Sequence, residues 1–174
     1  DALPISALNN DGSVTVVTFS ARSTLTLRFT VTGASSSTSN VGLSEIEVYD
    51  GDPTVVPESS AVPGPAPYDG PNVARNASVL VSSEAAGQGG VKAIDSVVSG
   101  WPANGFAEWS SDGQRAGAWL QLYWSEPQVV DRVYLYDRPN GSDQVTSGTL
   151  TFSDGSTVAV PALNNDGSVT VVTF

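Results

Sequence analysis

Apolar and polar residues alternate along much of the chain with the period of two that marks a half-buried strand. Val14–Phe19, Leu25–Val31 and Leu43–Tyr49 alternate in this way or are rich in β-branched residues. So are Trp119–Trp124, Val129–Tyr136, Leu150–Phe152 and Val158–Val160. Turn signals punctuate them at Asp112-Gly113, Asn140-Gly141-Ser142 and Asp154-Gly155. Gly90–Val97 alone has room for a helical turn or two. Strands do not alternate with helices, which disfavours an α/β fold. The pattern predicts an all-β chain, an antiparallel sandwich or jelly roll with loop-rich ends.

An internal repeat sets the organisation. Residues 7–19 read ALNNDGSVTVVTF, and residues 162–174 repeat all thirteen. Before the second copy stands a hairpin, LTFSDGSTVAVP, with a Ser-Asp-Gly-Ser turn. After the first copy comes the segment 20–50, which the second copy lacks because the sequence ends at Phe174. The natural order of the unit is therefore expected to be 71–174 followed by 20–50. The sequence is then a circular permutation, or a window cut across two near-identical tandem domains. Residues 51–71 hold six prolines and three glycines and read as an extended linker. Residues 1–6, DALPIS, match nothing else in the chain and are expected to be an artefactual leader outside the fold. The division expected is thus a leader at 1–6, the C-terminal strands of a sandwich at 7–50, a linker at 51–71 and the N-terminal part of the same sandwich at 72–174. The two identical copies compete for one strand position. The copy at 162–174 is expected to win it, because its hairpin with 147–161 closes a shorter loop.

Composition narrows the chemistry. Of the 174 residues, 18 are acidic and 7 basic, a net charge of −11. Nucleic-acid binding needs clustered Lys and Arg, and Lys92 is the sole lysine. The acidity suits an extracellular protein or one that holds a divalent cation in carboxylates. Cys, Met and His are absent. No disulfide, thiolate zinc site, Ser-His-Asp triad or Cys-His pair can be built within this chain. The chain begins at Asp1 rather than Met and is expected to be a fragment or a processed product. No signal peptide is visible, and no apolar run approaches the about 20 residues of a membrane-spanning helix.

Read in the order 71–174 then 20–50, a series of landmarks falls into line. Asn72-Val73-Ala74 opens the unit, and Ala93-Ile94-Asp95 follows, with Ser96 where a glycine is usual. Then come Glu108-Trp109, Ala118-Trp119-Leu120-Gln121-Leu122, Val130-Asp131-Arg132-Val133 and the closing Glu45-Ile46-Glu47-Val48-Tyr49. Together these resemble the coagulation factor 5/8 type C (discoidin) domain, the galactose-binding-like jelly roll also found in family 32 carbohydrate-binding modules. Tyr136–Asn140 with Asp143-Gln144 resembles a bacterial branch appended to secreted sugar-processing enzymes, including deacetylases. The resemblance implies a circularly permuted jelly-roll β-sandwich, a carbohydrate partner and a secreted or cell-surface location. It further implies a monomeric module within a larger multidomain protein.

The resemblance also implies a structural calcium site formed by the Asp95 side chain, the Lys92 carbonyl and Glu45. Backbone oxygens between Val98 and Trp101 would complete the shell. The alternative for these residues is that Asp95 caps a short turn and Glu45 is a solvated edge residue.

Sugars are held by flat apolar contact and by planar hydrogen-bonding groups. The loop 101–108 offers Trp101, Asn104, Phe106 and Glu108. The loop 137–144 offers Arg138, Asn140, Asp143 and Gln144. As a set they form the candidate ligand face. The alternative is that Trp101 and Phe106 pack the loop down while Arg138 pairs with Asp137 or Glu108. Trp109, Trp119 and Trp124 are expected in the core. Glu108 with Asp143 is the one carboxylate pair worth testing as an acid and base. Nothing in the sequence positions it, and the chain is expected not to be an enzyme. The expected function is non-catalytic glycan binding. The alternatives are an adhesion or spacer module, or an accessory fragment of a sugar-processing enzyme.

Overall fold

A computed structural model describes residues 21–50, 71–165 and 169–173 of the chain. The strands are β1 (Arg22–Ala34), β2 (Gly42–Leu43), β3 (Glu45–Asp50), β4 (Ser78–Val81), β5 (Trp109–Ser110), β6 (Trp119–Tyr136), β7 (Val145–Phe152), β8 (Thr157–Val160) and β9 (Thr170–Thr173). Short 3-10 turns cover Val73–Asn76, Gly90–Ile94 and Gly105–Ala107, and the described residues contain no α-helix. Every pairing between these strands is antiparallel. Seven strands share one sheet, with the path β3-β6-β1-β7-β8 and with β4 and β9 also on β6; β2 and β5 form a separate pair.

The long β6 organises the sheet. Val130 has Arg22 as partner on one side and Asp50 on the other, while Arg132–Leu135 are flanked by β9 and β3. Strands β9 and β1 therefore lie end to end along one edge of β6, and β3 and β4 along the other. Strands from before residue 50 and from after residue 71 thus alternate in one hydrogen-bonded sheet. They also share one core. Leu27, Phe29 and Val31 of β1 and Ile46 and Val48 of β3 pack in the same buried cluster as Trp109, Leu120, Leu122, Leu135 and Leu150. Alternation explains the register: Leu27, Phe29 and Val31 point inward, while Thr26, Arg28 and Thr30 stand on the opposite face.

Several expected elements change shape. The stretches Trp119–Trp124 and Val129–Tyr136 join into one strand. Between them β6 bulges: Thr24 faces Gln128 and Thr26 faces Tyr123, so four residues of β6 stand against Leu25. Ser125, Glu126 and Pro127 are exposed there, and Pro127, which lacks an N–H, breaks no ladder bond. The expected strand 43–49 is interrupted at Ser44, whose hydroxyl donates to the Asp137 carbonyl (2.9 Å). The helical turn at 90–97 stops at Ile94. Strand β4 was not foreseen, since four residues carry little periodicity. Trp109 and Trp124 are buried as expected, but Trp119 is not a core residue. It lies half-exposed beneath the Arg28 guanidinium, 4.3 Å from its ring centre, and Arg28 Nε donates to Gln121 Oε1 (2.6 Å). The C-terminal copy of the repeat supplies β9. The expected strand at Val14–Phe19, the leader at 1–6 and, Pro71 apart, the linker at 51–71 lie outside the described residues.

Where β2 meets β5 the two backbones nearly touch. A Cβ on Gly42 would sit 1.9 Å from the Trp109 carbonyl oxygen and 2.8 Å from Arg138 Cδ, whereas a Cβ on Gly141 would meet nothing within 4 Å. Gly42→Ala should therefore lose about 1–3 kcal/mol of stability in denaturant melts, and Gly141→Ala should stay within about 0.5 kcal/mol of the parent.

Candidate functional site

Two loops named by the sequence, 101–108 and 137–144, meet at a buried ion pair. Glu108 is fully buried. Its Oε1 accepts from Arg138 Nε (3.0 Å) and Nη2 (2.9 Å) and from Gln88 Nε2 (2.9 Å); its Oε2 accepts from the Trp101 backbone N–H (3.1 Å). Arg138, also buried, uses Nη1 on the Asn40 carbonyl (3.0 Å) and on Asp143 Oδ2 (3.3 Å). An ion pair this deep holds only when its remaining donors and acceptors are satisfied, and here they are shared among four chain segments. Close packing adds a constraint, since a Cβ on Gly100 would fall 2.0 Å from Glu108 Oε2.

The second loop is held by its own carboxylates. Asp137 accepts from the backbone N–H of Arg138 (2.9 Å) and of Val145 (2.9 Å), which closes the loop and starts β7. Burial pushes its carboxyl up to about 7, against the pull of those two N–H groups and of Arg138. Asp143 accepts from Asn140 Nδ2 (3.0 Å) and the Ser39 N–H (2.9 Å). Gln144 Nε2 donates to the Leu163 carbonyl (3.1 Å).

The predicted ligand residues thus separate by role. Glu108 and Arg138 turn inward, and of the two partners weighed for Arg138 the structure gives Glu108. This corrects the expectation that the two groups face a ligand: their hydrogen-bonding capacity is used within the protein. Glu108 and Asp143 both bind Arg138, Glu108 from a fully buried position and Asp143 with 12% of its side chain exposed. Trp101 and Phe106 do the opposite. The two residues are 59% and 68% exposed, on the loop whose backbone Glu108 and Gln88 fasten. Exposed Asn104 caps the turn between them, its Oδ1 accepting from the Phe106 N–H (3.2 Å). Val97 and Val98, a few positions earlier in the chain, are exposed as well. Sequence reasoning missed Gln88, Asn40 and Gly100, whose importance arises only when loops far apart in the chain meet.

The expected cation residues gather beside this loop. Glu45 is fully buried, not a solvated edge residue. Its Oε1 accepts from the Ser96 N–H (3.1 Å), and its Oε2 has no hydrogen-bond partner. Burial, with nearby Asp95 and Glu47 adding to it against Ser96, pushes its carboxyl up to about 8. Asp95 accepts from the Val97 N–H (3.0 Å) and lies 3.8 Å from Lys92 Nζ. Ser96 itself has φ 65°, the left-handed region that a glycine would occupy without strain. Among the described residues no three carboxylates gather as a metal cluster. A hard cation here would take two carboxylates and draw its other oxygens from carbonyls, as calcium does. The unpartnered buried oxygen of Glu45 fits that role.

A family model described as a domain of unknown function (DUF7402) matches residues 1–49 and 72–174, and the chain belongs to that family. The matched spans leave out 50–71, the proline-rich stretch. No curated protein and no solved structure matches the chain. No helix among the described residues is long and apolar enough to cross a membrane.

Truncating Arg138 should expose the dependence of both loops on the buried pair. Arg138→Met leaves an unpaired buried carboxylate and should cost about 3–5 kcal/mol in denaturant unfolding. The double variant Arg138→Met/Glu108→Gln should be more stable than Arg138→Met alone, because the neutral amide can stay buried.

Proposed function

We propose that this DUF7402 member is a non-catalytic carbohydrate-binding module of a secreted or cell-surface protein, folded as a circularly permuted jelly-roll sandwich of the galactose-binding-like kind. The carrying observation is the pair Trp101 and Phe106, both more than half exposed on a loop that a buried ion pair immobilises. Two exposed aromatic residues on one short loop are costly to leave in water. A fixed backbone under them lowers the ordering cost of binding, and rings of this kind stack on the C–H faces of pyranose sugars. In this reading exposed Asn104 is the amide that meets sugar hydroxyl groups, while Glu108, Arg138, Asn140 and Asp143 hold the two loops in place. The end-to-end line of β9 and β1 supports the permuted order, and the inward carboxylates support a binding role over a catalytic one.

The same proposal includes a structural calcium ion held by Glu45 and Asp95 with backbone oxygens, among them that of Lys92. Its part would be to offset the burial of the Glu45 carboxylate and to pin the segment 95–101 that leads into the aromatic loop.

Two measurements test these claims. Trp101→Ala/Phe106→Ala should reduce retention on immobilised polysaccharides at least about tenfold while the melting midpoint stays unchanged. A parent chain that retains no glycan across an array would overturn the reading in favour of a spacer. Calcium should raise the melting midpoint of the parent chain, since a ligand that binds only the folded state must do so. Glu45→Gln should abolish the shift, and no shift in the parent would remove the metal claim.

A further inference from the structure

The main sheet has an outer face, turned away from the core, on which β4, β6, β1, β7 and β8 lie side by side. Register sets Leu80, Gln121, Arg28, Thr151 and Thr157 in one row across it. The rows on either side hold Tyr123 with Thr26, and Trp119 with Thr30 and Thr149. Their neighbours in sequence, among them Leu27, Phe29, Leu120, Leu122 and Leu150, are buried in the core, so alternation turns these side chains outward.

Arg28 stands at the centre of this face and is held from two directions. Its central carbon lies 4.3 Å from the centre of the Trp119 ring, and its Nε donates to Gln121 Oε1 (2.6 Å). Gln121 is itself only 8% exposed. The two Nη groups of Arg28 and Nε2 of Gln121 have no hydrogen-bond partner among the described residues, and none of the three is sealed from solvent. No ion pair engages Arg28 among the described residues. The surroundings favour an anion there. The chain has 18 acidic residues, yet β1, β4, β7, β8 and Trp119–Tyr123 contain no Asp or Glu, and Arg22 and Arg28 are their only charges. A planar guanidinium with both Nη groups open grips a carboxylate with two parallel hydrogen bonds.

We propose that this face binds an acidic polysaccharide, with the carboxylate of a uronic acid unit on Arg28 and Gln121 and the neighbouring sugars across the threonine rows. Thr26, Thr30, Thr149, Thr151 and Tyr123 are partly exposed and carry the hydroxyls that pair with those of a sugar chain. The four strands from β4 to β7 span about 14 Å, the width of several linked sugars rather than of one ring. A protein partner is a poorer match, because its interface calls for an apolar centre. Here the centre is charged, Trp119 lies under Arg28, and Leu80, 54% exposed, stands on the edge strand β4. The face shares no residue with the loops 101–108 and 137–144, so it holds or fails separately from the site proposed above.

Affinity electrophoresis of the full chain through gels holding polygalacturonate tests the proposal. Migration should be retarded, and less so as salt rises, because the charge pair lies within reach of solvent. The fully methyl-esterified polymer, with its carboxylates blocked, should retard the chain no more than an empty gel. Arg28→Gln should weaken retention at least about tenfold. Arg28→Lys should weaken it too, since an ammonium lacks the two-pronged grip. Arg28 also packs on Trp119, so Leu80→Glu serves as a second variant. At its exposed position it should leave the melting midpoint unchanged, yet cut retention by setting a carboxylate in the row of Arg28. Trp101→Ala/Phe106→Ala should be retained like the parent. The proposal is overturned if the parent is not retarded, if the ester retards it equally, or if Arg28→Gln and Leu80→Glu migrate like the parent. Equal retention on poly-L-glutamate would show an anion contact without sugar recognition and overturns it as well.

Discussion

The pairing of β1 with β6 is the constraint on which the rest of this domain depends. It joins a strand from before the proline-rich stretch to one from after it, with side chains of both in one core. Non-local strand pairing carries a loop-closure cost before it returns any contact energy. Here the return is large, because Leu27, Phe29, Leu120 and Leu122 are all completely buried at that seam. Once β1 is docked, β7 and β8 add to its free edge, and β3 reaches the far half of β6. Glu45 and Ser96, distant in sequence, then become neighbours.

The loop end shows how a surface with scattered polar residues is made rigid. Charged groups that look available in sequence are drawn beneath the surface, where a low dielectric makes their pairing strong and their separation costly. The apolar groups stay outside. This inverts the ordinary distribution, in which an aromatic ring is worth more in the core than in water. The inversion makes Trp101 and Phe106 informative, and Glu108 with Arg138 explain how it is sustained.

Much of the strand content was legible because it rests on alternation, which is local. The Leu27-Phe29-Val31 run and the Ser153–Ser156 turn needed no tertiary knowledge. The repeat drew the end of the sequence toward the segment 20–50, and β9 and β1 lie end to end along β6. Other features depended on contacts that no local pattern encodes. Trp119 obeys the alternation of its strand, but the pattern does not say which face is covered, and Arg28 lies over it instead of the core. Arg138 is one residue from the turn-forming Pro139-Asn140 pair and looked solvent-facing. Its burial follows from Glu108, thirty positions away, arriving beneath it. The aromatic loop was visible as composition, while its anchoring through Gln88 and Gly100 was not.

The excursion of β6 at Ser125–Pro127 offers a practical handle. It interrupts the longest strand without disturbing the ladder on either side, and its residues lie in solvent while neighbouring Trp124 stays anchored to the Val73 carbonyl (2.8 Å). A fluorophore or short affinity peptide grafted there would ride on the most deeply embedded strand yet stand clear of the buried seam. Such a label would report on the whole domain's folding from outside it.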